Sequence, residues 1–251
     1  MLNRLNQLIG MSVWTADDDL GHVSDVYFDD QYWVARYLLV ETGSWLNARK
    51  VLISPYAVQS IDWHKRLVQV NLSRQQVEGS PPMDAERPVS RQHERDYFGY
   101  YDYPYYWSGP FLWGPVPNPI FPAEMRASGN GGSADYPETP DDPHLRSVKE
   151  VSGYHVQPEN DSIGHVEDFL FDHESWAIRY VVVDTKNWWP GKHVIIPPDW
   201  ITGIDWAERS VNVDVSRDLV QSAPEFLPTA ELTRSQEASL HRHYERMGYW
   251  Q

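Results

Sequence analysis

Residues 21–42, GHVSDVYFDDQYWVARYLLVET, decide the fold, because they return closely matched at residues 164–185 as GHVEDFLFDHESWAIRYVVVDT. Residue 21 thus corresponds to residue 164, and the same offset holds on both sides of this stretch. Residues 10–77 align with residues 153–220 without a gap, and 27 of the 68 aligned pairs are identical. Self-similarity at one fixed offset marks a duplicated structural unit. The chain therefore contains one unit twice.

The sequence of each copy indicates a set of short strands. In the first copy, β-rich runs bounded by turn residues lie at 21–28, 35–41, 50–53, 58–63 and 67–72. The second run is almost continuously apolar, which is typical of a strand buried on both sides, whereas the last one alternates. Five or six short strands in roughly 80 residues predict a small closed sheet without exposed edges. We expect four paired tryptophans to be mostly buried in these sheets: Trp33/Trp176 and Trp63/Trp206.

A helical tail is predicted after each sheet. In the first copy the helix should begin near Ser90 and end before Pro104. Its equivalent lies within residues 229–247, with Thr233 as a possible N-cap and Gly248 as a stop. Both tails end in a Tyr-Trp pair.

The segment between the copies, residues 108–143, has the composition of a linker. It is rich in proline and contains the run GNGGS, so neither a sheet nor a long helix should persist through it. Phe111, Leu112 and Trp113 would be poorly placed in a free linker. We therefore expect the first half of this segment to lie against a domain.

These boundaries divide the chain into five parts. They are repeat 1 at 1–82, a helical and aromatic tail at 83–107, the linker at 108–143, repeat 2 at 144–225 and a second helical tail at 226–251.

Charge and composition exclude several classes of function. The chain has 251 residues, and its 36 acidic and 21 basic residues give a formal net charge of −15, which disfavours nucleic acid and anionic membranes as partners. It contains no cysteine, which excludes disulfides, thiolate nucleophiles and Cys-ligated metal sites. No signal peptide or transmembrane segment is recognisable, so we expect a cytoplasmic protein.

The repeated motifs resemble the PRC-barrel family. The resemblance is carried by GHVSDVYFD at 21–29, WVARYLLVET at 33–42, VLISP at 51–55 and IDW at 61–63, and it recurs from 164 to 206. It implies an all-β core of two small, six-stranded PRC-type β-barrels in tandem, each followed by a short helical tail. Bacterial PRC-barrel proteins with a C-terminal Tyr/Trp tail are similar. The family resemblance also implies an assembly or interaction module, with no agreed catalytic residue and no cofactor.

Repeated histidines and aspartates offer one possible ligand site. Imidazole and carboxylate groups together could bind a divalent metal ion. However, residues 22 and 25 point to opposite faces of a regular strand, and the aspartate at 29 can cap a turn. A structural role is therefore the favoured interpretation of these six residues, which are His22, Asp25, Asp29, His165, Asp168 and Asp172.

A repeated Arg-Tyr pair offers a second possible ligand site. Arg36 and Arg179 could bind an anionic ligand through a bidentate contact. A guanidinium inside a small barrel more often pairs with an internal carboxylate, because an unpaired buried charge is costly. The expected partners are Asp25 or Asp62 in the first copy and Asp168 or Asp205 in the second.

The aromatic tails are the segments of the sequence that we most expect to pack on another surface. Few cations accompany them, which favours packing on a barrel or on a protein partner over stacking on nucleic acid. Candidate binding residues are Tyr105, Tyr106, Trp107, Tyr249 and Trp250. We expect each tail to pack against a barrel, because a Tyr-Trp pair left in water would forgo the burial of a large apolar area.

The function predicted from the sequence is a non-enzymatic interaction or assembly module. Duplication favours two repeats that pair with approximate two-fold symmetry as an intramolecular pseudo-dimer. The sequence contains no nucleophile elbow, zinc-protease motif or nucleotide-binding loop, so no catalytic residue is predicted. The alternative is a small-ligand or metal-ion sensor that uses the repeated His, Asp and Arg positions.

Overall fold

A computed structural model describes residues 1–16, 18–83, 89–119, 144–158, 162–185 and 192–250. Contacts divide the chain into two compact units. The first-repeat unit consists of Gln7–Ser147 together with Glu174–Ala177. The second-repeat unit consists of Met1–Asn6, Val148–His173 and Ile178–Gln251.

The first-repeat unit contains one seven-stranded sheet. Its order is β5-β4-β3-β2-β7-β6, and β8 pairs with β3 beside this path. The pairs are antiparallel except for β2 with β7, which is parallel. The strands are β2 (Ser12–Trp14), β3 (Asp19–Asp29), β4 (Val34–Thr42), β5 (Lys50–Ile53), β6 (Val58–Asp62), β7 (Leu67–Val70) and β8 (Leu145–Ser147).

The second-repeat unit contains a sheet of the same topology. Its order is β12-β11-β10-β9-β14-β13, β1 pairs with β10, and the pair β9 with β14 is parallel. The strands are β1 (Leu2–Arg4), β9 (His155–Pro158), β10 (Gly164–Asp172), β11 (Ile178–Asp184), β12 (His193–Ile196), β13 (Ile201–Asp205) and β14 (Ser210–Val213).

The seventh strand of each sheet comes from the other repeat. Strand β1 opens the first repeat in the sequence but lies on β10, with Leu2 opposite Asp172. Strand β8 opens the second repeat but lies on β3, with Leu145 opposite Asp29. In the sequence, the linker separates the two repeats. In the structure, each compact unit also contains one strand of the other repeat.

Two mostly-β units with short helices confirm the predicted fold class, but the sheets are not closed. Among the described strands, no pairing joins β5 to β6 or β12 to β13. These strands are instead joined by single 3₁₀ turns, Pro55–Ala57 and Pro198–Trp200. Each turn begins with proline, which has no N–H to continue a ladder. The expectation of a closed sheet was therefore wrong.

The same strand position holds a glycine in both copies for a steric reason. Gly21 has φ +131°, and a Cβ at this position would lie 2.1 Å from the carbonyl oxygen of Glu41. Gly164 has φ +143°, and a Cβ would lie 2.2 Å from the carbonyl oxygen of Asp184. Only glycine fits where β3 and β10 approach the neighbouring strand this closely.

The two tail helices begin where the sequence predicts. Ser90 caps the second helix, and Thr233 forms a capping box with Gln236 at the start of the fifth. The fifth helix ends at His243 instead of near Gly248, because Glu245 adopts a left-handed conformation with φ +54°. The helices are α1 (Arg74–Glu78), α2 (Arg91–Tyr101), α3 (Val148–Val151), α4 (Arg217–Ser222) and α5 (Arg234–His243). None of the helices in the described part of the chain is long and apolar enough to cross a membrane.

None of the four paired tryptophans is exposed, in keeping with the prediction that they are mostly buried. Trp176 is buried, but Trp33, Trp63 and Trp206 are only half-buried. Trp33 and Trp176 have φ values of +53° and +60°, at the turns between β3 and β4 and between β10 and β11. The cores consist mainly of aliphatic side chains from the central strands.

Candidate functional site

A buried carboxylate organises the polar residues of the first-repeat unit. Glu94, on α2, is fully buried, and its Oε1 accepts hydrogen bonds from the hydroxyls of Tyr37 at 2.9 Å and Tyr106 at 2.8 Å. Its Oε2 lies 3.0 Å from Arg91 Nη1 and 3.1 Å from His144 Nε2. Oε1 thus accepts two hydrogen bonds, whereas Oε2 accepts none from the described residues and is paired electrostatically with the Arg91 guanidinium.

Burial, and after it the adjacent Glu94 carboxylate, raises the pKa of Tyr37 and of Tyr106 well above the usual value of a phenol. Both hydroxyls therefore stay protonated and act as donors to Glu94.

A buried ion pair lies beside this carboxylate. The Nη2 of Arg36 is 3.5 Å from Asp29 Oδ2, and both side chains are 1% exposed. The guanidinium carbon lies 3.7 Å from the ring centroid of Tyr106. Arg36 therefore pairs with an internal carboxylate, as predicted, but the expected partners were wrong. Asp25 bonds to Ser147 of β8, and Asp62 bonds to Lys65 in a surface turn.

Residues 108–116, here called the strap, cover Arg36. Leu112 places its carbonyl oxygen 2.5 Å from Arg36 Nη1, and the ring centroid of Trp113 lies 4.9 Å from the guanidinium carbon. Trp113 is completely buried and donates from Nε1 to the carbonyl of Ser175 at 2.7 Å. Its own carbonyl accepts a hydrogen bond from the Tyr56 hydroxyl at 2.7 Å. The strap confirms that the start of the linker lies against a domain; residues 120–143 lie outside the described residues.

The second-repeat unit rebuilds the carboxylate cluster with equivalent residues. Oε1 of Glu237 accepts hydrogen bonds from the hydroxyls of Tyr180 and Tyr249, both at 3.0 Å. Its Oε2 lies 3.0 Å from Arg234 Nη1. The Tyr180 hydroxyl is also 3.1 Å from Nε2 of His241, which occupies the position of Phe98 in the first repeat. The pKa of Tyr180 and of Tyr249 is raised by burial first, and Glu237 acts in the same direction.

The ion pair of the second-repeat unit is open to solvent. The Nη2 of Arg179 is 3.8 Å from Asp172 Oδ2, and both side chains are 24% exposed. The guanidinium carbon lies 4.3 Å from the ring centroid of Tyr249, which is itself 36% exposed. Within the described residues, no carbonyl oxygen accepts a hydrogen bond from Arg179 as Leu112 does from Arg36. The same residues thus form a sealed site in one unit and an open site in the other.

The aromatic tails pack in their own units, as expected. Tyr106 is buried, while Tyr105, Trp107 and Trp250 are half-buried and Tyr249 is exposed. Tyr106 and Tyr249 make the corresponding contacts with Glu94 and Glu237. Their role in binding a partner stays a prediction.

The structure does not bring the proposed metal ligands together. In the first-repeat unit His22 is exposed, whereas Asp25 accepts hydrogen bonds from the backbone of Val26 and from Ser147. Asp29 caps the following turn through the N–H groups of residues 31 and 32 and pairs with Arg36.

The equivalent residues of the second-repeat unit are also separately engaged. Asp168 accepts hydrogen bonds from Arg4 Nε at 2.6 Å and from the backbone of Asn6 at 3.0 Å. Burial raises the pKa of Asp168, against the hydrogen bonds that it accepts. His165 is half-buried, and Asp172 pairs with Arg179. Among the described residues, no group of three or more His, Asp or Glu side chains could hold a metal ion.

Sequence reasoning missed Glu94 and Glu237 as the centres of these clusters. A signal was present, because Arg91/Arg234 and Glu94/Glu237 recur at the offset that relates the two copies. On a helix, side chains at positions i and i+3 lie on the same face, so each pair could have been read as an ion pair aimed at its sheet.

Comparison with known proteins agrees with the internal repeat. The family model described as PRC-barrel domain matches the chain twice, at residues 2–77 and 144–220. The search of curated proteins found no match. The two matches together cover more than half of the chain, and both include the strands that frame the two ion pairs. The chain therefore belongs to the PRC-barrel domain family and carries the domain twice.

Proposed function

We propose that this protein is a non-enzymatic interaction and assembly module, in which two PRC-barrel repeats pair within one chain about an approximate two-fold axis. The observation that carries the proposal is the reciprocal exchange of β1 and β8. Each repeat contributes its first strand to the sheet of the other, so neither sheet is complete without both copies.

The exchanged strands make equivalent contacts, which supports the symmetric pairing. Leu2 opposite Asp172 and Leu145 opposite Asp29 are the same pair with the two copies interchanged. Side chains at equivalent positions repeat the pattern, since Arg4 donates to Asp168 and its counterpart Ser147 donates to Asp25. Interchange of this kind is what an isologous contact between two copies requires.

A pairing within the first-repeat unit points in the same direction. Val34 forms an antiparallel bridge with Ala177, which is its own counterpart in the second copy. The N–H of Ala35 donates to the carbonyl of Trp176 at 2.9 Å. A residue meets its own equivalent only close to a two-fold axis.

The titratable groups at the two sites support a structural, non-enzymatic role. Glu94 and Glu237 are held by tyrosine hydroxyls and arginines, and the tyrosines are held as protonated donors. A general acid or base needs a group that can exchange its proton with a substrate. The sensor alternative has no converging set of ligands among the described residues, and a cytoplasmic location stays a prediction.

Engineered disulfides test the pairing, because the natural chain has no cysteine. The variant Leu2→Cys with Asp172→Cys should form an intramolecular disulfide, since the two residues are register partners. The matched control is Leu2→Cys with Asp29→Cys, which would cross-link if β1 paired within its own repeat. Disulfide formation in both variants is measured by non-reducing electrophoresis and peptide mass spectrometry. Cross-linking of the control instead of the first variant would refute the exchange and the pairing built on it.

Affinity capture from the native cells tests the interaction role. The wild-type chain serves as bait, and resin that carries no protein is the control. We expect one stoichiometric protein partner to be recovered by the bait alone. Recovery of no stoichiometric partner by the bait would contradict an interaction module.

A further inference from the structure

We propose that the second-repeat unit binds an extended peptide segment of a partner protein at Arg179, in the same way as the strap covers Arg36. The proposal rests on the interaction function proposed above and names the surface and the chemistry of its occupant. That occupant presents a backbone carbonyl to the guanidinium and lays an aromatic side chain over it.

The first-repeat unit supplies the template for this complex. A peptide carbonyl lies 2.5 Å from Nη1 and an indole ring lies 4.9 Å from the guanidinium carbon, and Arg36 is 1% exposed in these surroundings. The guanidinium offers five N–H donors, which Asp29 alone does not satisfy. The strap thus shows which chemistry completes an Arg-Asp-Tyr site of this architecture.

The second-repeat unit presents the same receptor residues without that cover. In the alignment of the two copies, Arg179, Asp172 and Tyr249 correspond to Arg36, Asp29 and Tyr106. Among the described residues, the only polar contact of Arg179 is with Asp172 at 3.8 Å, which is long for a hydrogen bond. A peptide carbonyl would therefore add a charge-assisted hydrogen bond that the unit does not make for itself.

One position of the site differs between the two units, and it sets which chemical groups the occupant should carry. Tyr56, whose hydroxyl donates to the strap carbonyl of Trp113, corresponds to Asp199, which is exposed. A carboxylate accepts but does not donate, so Asp199 cannot supply the hydrogen bond that Tyr56 gives and favours an N–H group or a cation on the occupant. The net charge of −15 also favours a basic partner. The occupant is accordingly an aromatic and basic segment, and the strap itself should bind more weakly than such a segment.

The test uses the full chain and a fluorescein-labelled synthetic peptide of residues 108–119, which contains the strap, followed by fluorescence anisotropy. Saturable binding is expected below about 1 mM. Arg179→Ala should weaken it by about tenfold or more, because a charge-assisted hydrogen bond is lost. Asp199→Tyr should strengthen it several-fold, because it restores the donor that Tyr56 provides. A peptide with alanine in place of its tryptophan should not bind.

Two results would overturn the proposal. One is no saturable binding by the wild-type chain. The other is binding that Arg179→Ala leaves unchanged, which would place the peptide elsewhere, including on the first-repeat unit. Arg179→Lys retains the charge and is the second variant should Arg179→Ala fold poorly; the loss of the planar donor fork should still weaken binding. Recovery of a cellular partner together with failure of the peptide would leave the interaction function standing and remove only this site.

Discussion

The two polar clusters of this protein contain the same residues in opposite surroundings. Arg36 and Asp29 are 1% exposed beneath the strap, whereas Arg179 and Asp172 are 24% exposed. Duplication retained the ion pair and the tyrosine-bound glutamate in both copies. The surroundings of the ion pair differ, so it is part of the core in the first-repeat unit and partly exposed in the second-repeat unit.

The two units also differ beside the central glutamate. In the first-repeat unit Glu94 is contacted by His144 and lies on a helix with Phe98, whereas in the second-repeat unit His241 replaces that phenylalanine. Apolar aromatic packing is thus exchanged for a titratable ring. The difference shows that the same ion pair can be sealed in the core of one unit and remain partly exposed in the other.

The largest effect should come from removing the strap's anchor. Trp113→Ala should lower the free energy of unfolding by about 3–5 kcal/mol, because the indole is fully buried. Phe111→Ala, in the same strap but 51% exposed, is the control and should change it by less than about 0.5 kcal/mol. Urea unfolding measures both. Equal effects of the two variants would mean that the strap is not anchored as described.

An intermediate effect is expected from neutralising the central glutamates. Glu94→Gln should cost about 1.5–3 kcal/mol of unfolding free energy, because the hydrogen bonds from the buried Tyr37 and Tyr106 hydroxyls lose their charge assistance and the ion pair with Arg91 is lost. Glu237→Gln should cost less, since its partner Arg234 is 56% exposed and water replaces the lost contact. The two variants are compared in parallel urea titrations. A larger cost for Glu237→Gln would reverse the assignment of sealed and open sites.

The smallest effect concerns pH. Burial lowers the pKa of His241, against the carboxylates of Glu237 and Asp199 that act to raise it. The unfolded chain therefore takes up a proton on acidification more readily than the folded unit, so stability falls as the pH falls through about 6.5.

His241→Phe, which installs the first-repeat residue, should reduce this loss between about pH 7.5 and about pH 5.5. The free energy of unfolding is measured at both pH values. His22→Gln, at an exposed position, is the control and should leave the loss unchanged. An undiminished loss in His241→Phe would show that His241 is not buried in its neutral form.

Local features of the fold could be read from the sequence. The duplication, the strand runs, the caps Ser90 and Thr233 and the pairing of Arg36 with an internal carboxylate all depend on residues close in sequence or on the repeat itself. The sequence could not show that Arg36 pairs with Asp29 instead of Asp25. This depends on Ser147, which lies 122 residues from Asp25 in the sequence and donates a hydrogen bond to its carboxylate.

The sequence by itself determined that one unit occurs twice, with the same strands, helices and ion-pairing residues in each copy. Only the tertiary structure decided which copy receives each first strand and which ion pair is covered. The physical reason is that β3 and β10 have nearly the same sequence, so their edges offer almost the same partner to a three-residue strand such as Leu2–Arg4 or Leu145–Ser147. Local periodicity specifies that a strand forms, but its partner is selected by long-range packing.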